Sequence, residues 1–184
     1  GLDFVRSFAA GKGDTLSVCG GWPVYTMNSQ AVMQSKDEGL DRVVLSPEDS
    51  LENMKKLFAM FQEKIEVIVY QDTPLFVSET CVNAAARGGC HGPGRGCGFE
   101  GTGLKSRSGE SVRVINRGCR NITIAEEPFC LTGYLAKLRG AGADHFRMEF
   151  AYRRYKPAEV HQIWQTKKPL HGYYSGNFIS GFSE

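Results

Sequence analysis

The chain has 184 residues, 41% of them apolar and 23% charged, with a formal net charge of +2. That length suits one domain with a sizeable core. The near-neutral charge excludes bulk polyanion binding, and no apolar run reaches the length of a membrane span. A cytoplasmic protein with no membrane partner is expected. Six cysteines are too few for a disulfide scaffold at this size, so reduced thiols are expected, with metal ligation preferred. The first residue is Gly1 rather than methionine, which points to processing or a cut upstream.

In chain order, Pro23–Met27 (PVYTM) reads as a strand closed by Asn28. A short helix runs from about Ser29 to Gly39, a residue type common just past a helix end. Arg42–Leu45 reads as a short buried strand. Ser46-Pro47-Glu48-Asp49 then opens a helix, with Ser46 as its cap and Pro47 in the first turn. Leu51, Met54, Leu57, Phe58 and Phe61 follow at helical spacing. Ile65–Tyr70 (IEVIVY) is a β-branched, buried strand. After a long interruption, Ile122–Ile124 reads as a strand and Leu131–Arg139 as a helix closed by Gly140-Ala141-Gly142. His145–Phe150 (HFRMEF) alternates strictly, as a strand does, and Pro157 starts a last helix. Strand–helix alternation of this kind argues for a parallel sheet with helices outside it.

The interruption, residues 73–120, reads as a cysteine-rich insertion. It holds Cys81, Cys90, Cys97 and Cys119, separated by eight, six and twenty-one residues. Gly88–Gly98 (GGCHGPGRGCG) has six glycines in eleven residues. Grouped thiolates suit a soft metal, either zinc or an iron–sulfur cluster. His91 is a spare ligand. Cys19 and Cys130 fall outside the group and read as core residues. A hairpin is expected with Leu104–Ser106 against Val112–Ile115, turned through Ser108-Gly109. From Arg87 to Arg120 there are seven Lys or Arg residues against two acids, an excess that suits an anionic small molecule or RNA.

On HFRMEF, His145, Arg147 and Glu149 share one face, and on IEVIVY so do Glu66, Ile68 and Tyr70. Glu66 sits in an otherwise buried run. A buried carboxylate needs a partner, and an arginine is the natural one. Glu66, Tyr70, Arg147 and Glu149 are therefore the catalytic candidates, with Asn28 and Arg147 as substrate-binding candidates. The chain has no G-x-S-x-G, no P-loop and no H-E-x-x-H.

Several runs together resemble the collagenase-like peptidase family, peptidase family U32. They are Asn28-Ser29, LSPE at Leu45–Glu48, EVIVY at Glu66–Tyr70, PLFVSETC at Pro74–Cys81, CRN at Cys119–Asn121, FRMEF at Phe146–Phe150 and HGYYSGNF at His171–Phe178. The chain departs from the family signature at Tyr70 and Gln71, where a His-like position and a glycine are usual. The resemblance implies a partial (β/α) barrel with parallel strands. It implies that residues 1–184 are one domain, the C-terminal portion of a longer protein, inactive without the missing N-terminal half. It also implies that Cys81, Cys90, Cys97 and Cys119 hold an iron–sulfur cluster of the four-iron type, with zinc as the alternative.

Three functions follow as expectations. The first is redox chemistry or oxygen-independent hydroxylation of an anionic substrate. The second is peptide hydrolysis, as the family name suggests. The third is a metal-stapled structural or binding module. A half barrel leaves open strand edges, so a homodimer is also expected.

Overall fold

The computed structural model describes residues 2–11, 16–90 and 97–181. An N-terminal helix, α1 (Leu2–Gly11), precedes strand β1 (Cys19–Gly20). Then follow α2 (Ser29–Asp37), β2 (Arg42–Val44), α3 (Leu51–Phe61) and β3 (Ile65–Gln71). The middle of the chain forms β4 (Pro74–Ser78), α4 (Val82–Arg87), β5 (Gly101–Lys105), β6 (Ser111–Arg117) and β7 (Arg120–Ala125). The chain returns through β8 (Phe129–Cys130), α5 (Leu135–Gly140), β9 (His145–Glu149) and α6 (Pro157–Thr166).

Two sheets result. In the first, β1, β2, β3 and β9 run parallel, with β3 between β2 and β9. β8 pairs antiparallel with the last residues of β3, on the edge that β2 leaves free. The second sheet is antiparallel, in the order β4-β7-β6-β5. The fold is thus α/β with a parallel sheet and a separate antiparallel one. Among the described residues neither sheet closes into a barrel, and no strand pairs the outer edge of β1 or β9.

The core belongs to the parallel sheet. β3 is buried at every position except Glu66, as a central parallel strand is. The apolar stripe of α3 (Leu51, Met54, Leu57, Phe58) joins Val43, Val44, Val67 and Val69 in one cluster with Leu135, Leu138 and Phe178. Gly142 (φ 109°) turns the chain from α5 into β9 against Phe58, whose Cβ would lie 3.1 Å from an added Cβ. The run HGYYSGNF is a strap. Phe178 O accepts from Leu51 N–H, Cys130 N–H donates to Tyr174 O, and Asn177 donates to Glu48 O.

Several sequence expectations are corrected. PVYTM is not a strand: Trp22–Val24 is a 3-10 turn and Tyr25 is left-handed (φ 61°). Pro23 offers no N–H to a ladder, and the first strand moves back to Cys19–Gly20. The cap of α3 is Ser50, whose Oγ accepts from Asn53 N–H. Ser46–Asp49 is a turn, and the buried Asp49 carboxylate takes the Ser50 N–H and the Asn53 amide. β4, α4 and β8 fall where no element is expected. The β5–β6 hairpin forms as expected, with Leu104 opposite Val112. No helix among the described residues is long and apolar enough to cross a membrane.

Candidate functional site

Parallel pairing of β3 with β9 sets Glu66 beside His145, Ile68 beside Arg147 and Gln71 beside Glu149. The Arg147 guanidinium makes two bonds to Glu66, from Nε to Oε1 at 3.0 Å and from Nη2 to Oε2 at 3.1 Å. It also lies 3.6 Å from Glu149 Oε1, while the Gln71 amide donates to Glu149 at 2.6 Å. The expected arginine partner of Glu66 is therefore Arg147. Arg147 serves two carboxylates at once, so this polar row is not a free cationic site.

Cys19 joins the row, which corrects its reading as core alone. Its Sγ lies 3.5 Å from Glu66 Oε2 and 3.5 Å from Arg147 Nη2. Burial and the Glu66 charge push the thiol's pKa up, so it stays protonated. Burial by itself raises the Glu66 carboxyl. The bonds and charge of Arg147 outweigh burial and hold it below the usual range.

Tyr70 does not share this face. An irregularity in the pairing between Ile68 and Tyr70 shifts the alternation. Tyr70 packs on the other side with Cys130, Ile163, Met148, Phe150 and Tyr155. Its hydroxyl is 3.3 Å from that of Tyr155, which bonds both oxygens of Asp72 at 3.1 Å. The Asp72 side chain is fully buried, with Arg153 Nε 2.8 Å away, and burial pushes its pKa up despite that charge. Sequence reasoning missed this group. The signal available was an acid closing a buried strand and an Arg-Arg-Tyr run after β9. Asn28 caps α2, its Oδ1 accepting from Ala31 N–H at 2.9 Å, so its side chain is engaged by the helix.

The small sheet stands beyond the carboxyl ends of β3 and β9. Arg117 donates to Ala151 O at 2.8 Å, and Arg153 to Ala125 O at 2.5 Å. A cavity of about 630 Å³ lies between the small sheet and the segment after β9. It takes in Tyr70, Gly101–Gly103, Tyr152–Tyr155 and Leu170, but neither Arg147 nor Glu149. The cavity and the Arg147–Glu149 row are thus separate places. Arg113 pairs with Glu126, and Arg120 with Glu79. Arg95 and His91 lie outside the described residues.

Three of the four cysteines flank one end of the small sheet, where β4 ends, β5 begins and β6 turns into β7. Cys81 follows β4 and is the N-cap residue of α4; Cys90 follows α4. Cys97 lies two residues before Phe99, whose carbonyl accepts from the Asn116 amide near the end of β6. Cys119 sits in the turn between β6 and β7, where Arg117 faces Arg120. Cys119 is left-handed (φ 68°), next to Gly118 (φ 59°). Such a turn favours glycine or asparagine, so the cysteine sits there against backbone preference.

None of these thiols is in a disulfide, and Cys90, Cys97 and Cys119 are exposed. Among the described residues no three Cys, His, Asp or Glu side chains gather into a group that could hold a metal. Cysteine thiolates are the kind of donor an iron–sulfur cluster takes, but the described side chains are not gathered around one point. Gathering the sulfurs is a step that metal binding itself can drive.

A sequence model described as peptidase family U32 matches residues 23–166. No curated protein and no solved structure matches the chain. The family match takes in most of the chain, from the turn after β1 to the end of α6, and the chain belongs to that family.

Proposed function

We propose that this member of peptidase family U32 is the cluster-holding part of a redox enzyme, with Cys81, Cys90, Cys97 and Cys119 as ligands. The parallel strands β1, β2, β3 and β9 form half of a barrel, and the missing half pairs the outer edges of β1 and β9. The substrate is anionic, and the reaction class is oxygen-independent hydroxylation or a related electron transfer. What supports this reading is that the segments carrying Cys81, Cys97 and Cys119 leave the same end of the small sheet, with Cys90 joined to Cys81 through the short helix α4.

When bound, a four-iron cluster supplies one-electron transfer. The chain's own residues do the rest. Arg117 and Arg153 tie the small sheet to the strand ends, which fixes the thiols relative to the parallel sheet. Glu66 and Glu149 hold Arg147 in place on the open face. An anionic substrate would exchange with one of these carboxylates. Asp72, through Tyr155 and Tyr70, offers a hydrogen-bonded route for a proton between a buried carboxyl and the cavity.

The test is metal analysis of protein purified without oxygen. Iron and acid-labile sulfide near four per chain, with visible charge-transfer absorption, is the expected result, and Cys119→Ser should lose both. Stoichiometric zinc with no colour would make the cysteines a structural staple. Metal-free protein with peptide-bond hydrolysis retained in Cys119→Ser would favour the hydrolase reading that the family description supports.

A further inference from the structure

We propose that Asn116 and Asn121 are the positioning residues of the thiol site, holding the segments of Cys97 and Cys81 against the end of the small sheet. The inference rests on the reading of the cysteines as metal ligands and extends it to two residues that carry no thiol. Asn116 on β6 stands directly opposite Asn121 on β7, so both side chains project from one face of the sheet. Asn116 gives its backbone N–H to Glu100 O at 2.8 Å, on the side away from β7. Its pair with Asn121 is therefore of the non-hydrogen-bonded kind, in which opposed side chains come closest. The two residues bracket Cys119 in the turn between their strands.

Each carboxamide donates to a thiol-bearing segment beside the sheet end. Asn121 Nδ2 donates to Thr80 O at 3.1 Å, immediately before Cys81. Ser78 Oγ closes the same corner by accepting from Thr80 N–H at 2.9 Å. Asn116 Nδ2 donates to Phe99 O at 2.7 Å, shortly after Cys97. The two anchored segments then meet: Asn83, in the first turn of α4 after Cys81, has its Nδ2 4.0 Å from Cys97 Sγ. These bonds also fix which way each amide points, because turning either would set its oxygen against a carbonyl oxygen. So oriented, both Oδ1 atoms are buried and accept nothing among the described residues, and Asn121 as a whole is 2% exposed. A buried acceptor left unpaired costs stability, so the packing of the sheet gives no reason for two amides at this place. An apolar side chain of the same shape would serve the packing at least as well. The reason left is the amide N–H, which ties the neighbouring chain to the sheet. Groups that orient ligand-bearing segments in this way raise the affinity of a metal site.

The probe is the cadmium ion, soft and diamagnetic, titrated without oxygen into reduced, metal-free protein and read by thiolate charge-transfer absorption. Asn116→Leu and Asn121→Leu should each weaken cadmium binding by roughly tenfold to hundredfold, the usual penalty for removing a group that orients a ligand. Their urea midpoints without metal should stay at or above that of the unaltered protein. Asn116→Asp keeps an oxygen and loses the donor, so it should weaken binding as Asn116→Leu does. The unaltered protein supplies a test that no folding defect can blunt. In NMR spectra, cadmium should shift the side-chain amide signals of Asn116 and Asn121. It should leave in place those of Asn28 and Asn53, whose side chains bond at the starts of α2 and α3. Should a variant lose stability along with affinity, these signals decide. Unmoved signals, equal cadmium affinity in the Leu variants, or full affinity in Asn116→Asp would each overturn the proposal. A wild type that takes up iron and cadmium while the variants bind as tightly sinks this proposal alone. A wild type that takes up neither metal sinks it together with the cysteine reading.

Discussion

The two sheets of this chain are stabilised differently. The parallel sheet holds nearly all of the buried apolar side chains, in one cluster from Val32 to Phe178. The antiparallel sheet buries only Val114, Ile122 and Ile124 among its described hydrophobic residues, and leaves Leu75, Phe76, Val77 and Leu104 exposed. A sheet with so little core is a poor folding unit by itself. It is also where the thiols are. A metal bound at the end of such a sheet would supply the stability that burial does not, as it does in small metal-stapled domains.

The sharpest way to break this comparison is to truncate one side chain in each sheet. Phe129 is 1% exposed and packs edge-on against Tyr174. Phe129→Ala should cost about 3–5 kcal/mol in urea unfolding. Leu104→Ala, at an exposed position of β5, should change stability by no more than about 0.5 kcal/mol. Equal costs would mean that the small sheet shares the main core after all. Next in size is the joint between the sheets. Arg153→Ala strands the fully buried Asp72 carboxylate and should cost about 3 kcal/mol, against about 1 kcal/mol for Arg147→Ala on the open face. A reversal of that order would place the critical ion pair in the polar row.

Amide exchange sharpens the same contrast. β2 and β3 should exchange only by global unfolding, whereas β5 and β6 should exchange through local opening. Iron loading should slow exchange in β5–β7 and leave β2 and β3 unchanged. Uniform protection across both sheets in the metal-free protein would contradict the contrast.

How much of this was legible in the sequence follows from the same difference. β2, β3, β9, α3 and α6 declare themselves because burial imposes a period on their residues. The Glu66–Arg147 pair was foreseeable, since a carboxylate inside a buried strand demands a cation. β4 was not legible: PLFVS has three exposed apolar residues in a row and no alternation. Strict alternation puts Tyr70 on the face of Glu66, and the irregularity in strand pairing that moves it to the other leaves no mark in composition. Cys19 reads as a core residue in sequence because its polar neighbours come from strands 47 and 128 residues away. The Asp72 group escaped for the same reason, its partners lying 81 and 83 residues along the chain.

The smallest effect is the most specific to the polar row. Glu66 is held below the usual carboxylate pKa in the folded chain by Arg147, with burial opposing. The folded state therefore binds this proton less tightly than the unfolded state. The stabilisation is fully present above the ordinary glutamate pKa and is lost as pH falls through the lower folded value. Asp72 has the opposite sign: burial raises its pKa, so its ionisation opposes folding at neutral pH, and that cost is relieved as pH falls through the raised folded value. Glu66→Gln should lower stability by about 1 kcal/mol at pH 7, since Arg147 is partly exposed and screened. That gap should close below about pH 4, near the ordinary range for glutamate. Asp72→Asn should respond in the other direction, with the wild type gaining on the variant as the solution is acidified. Urea unfolding of the three proteins between pH 7 and pH 3 measures both slopes. A Glu66→Gln gap that persists unchanged at pH 3 would show that the row is held by packing and not by charge.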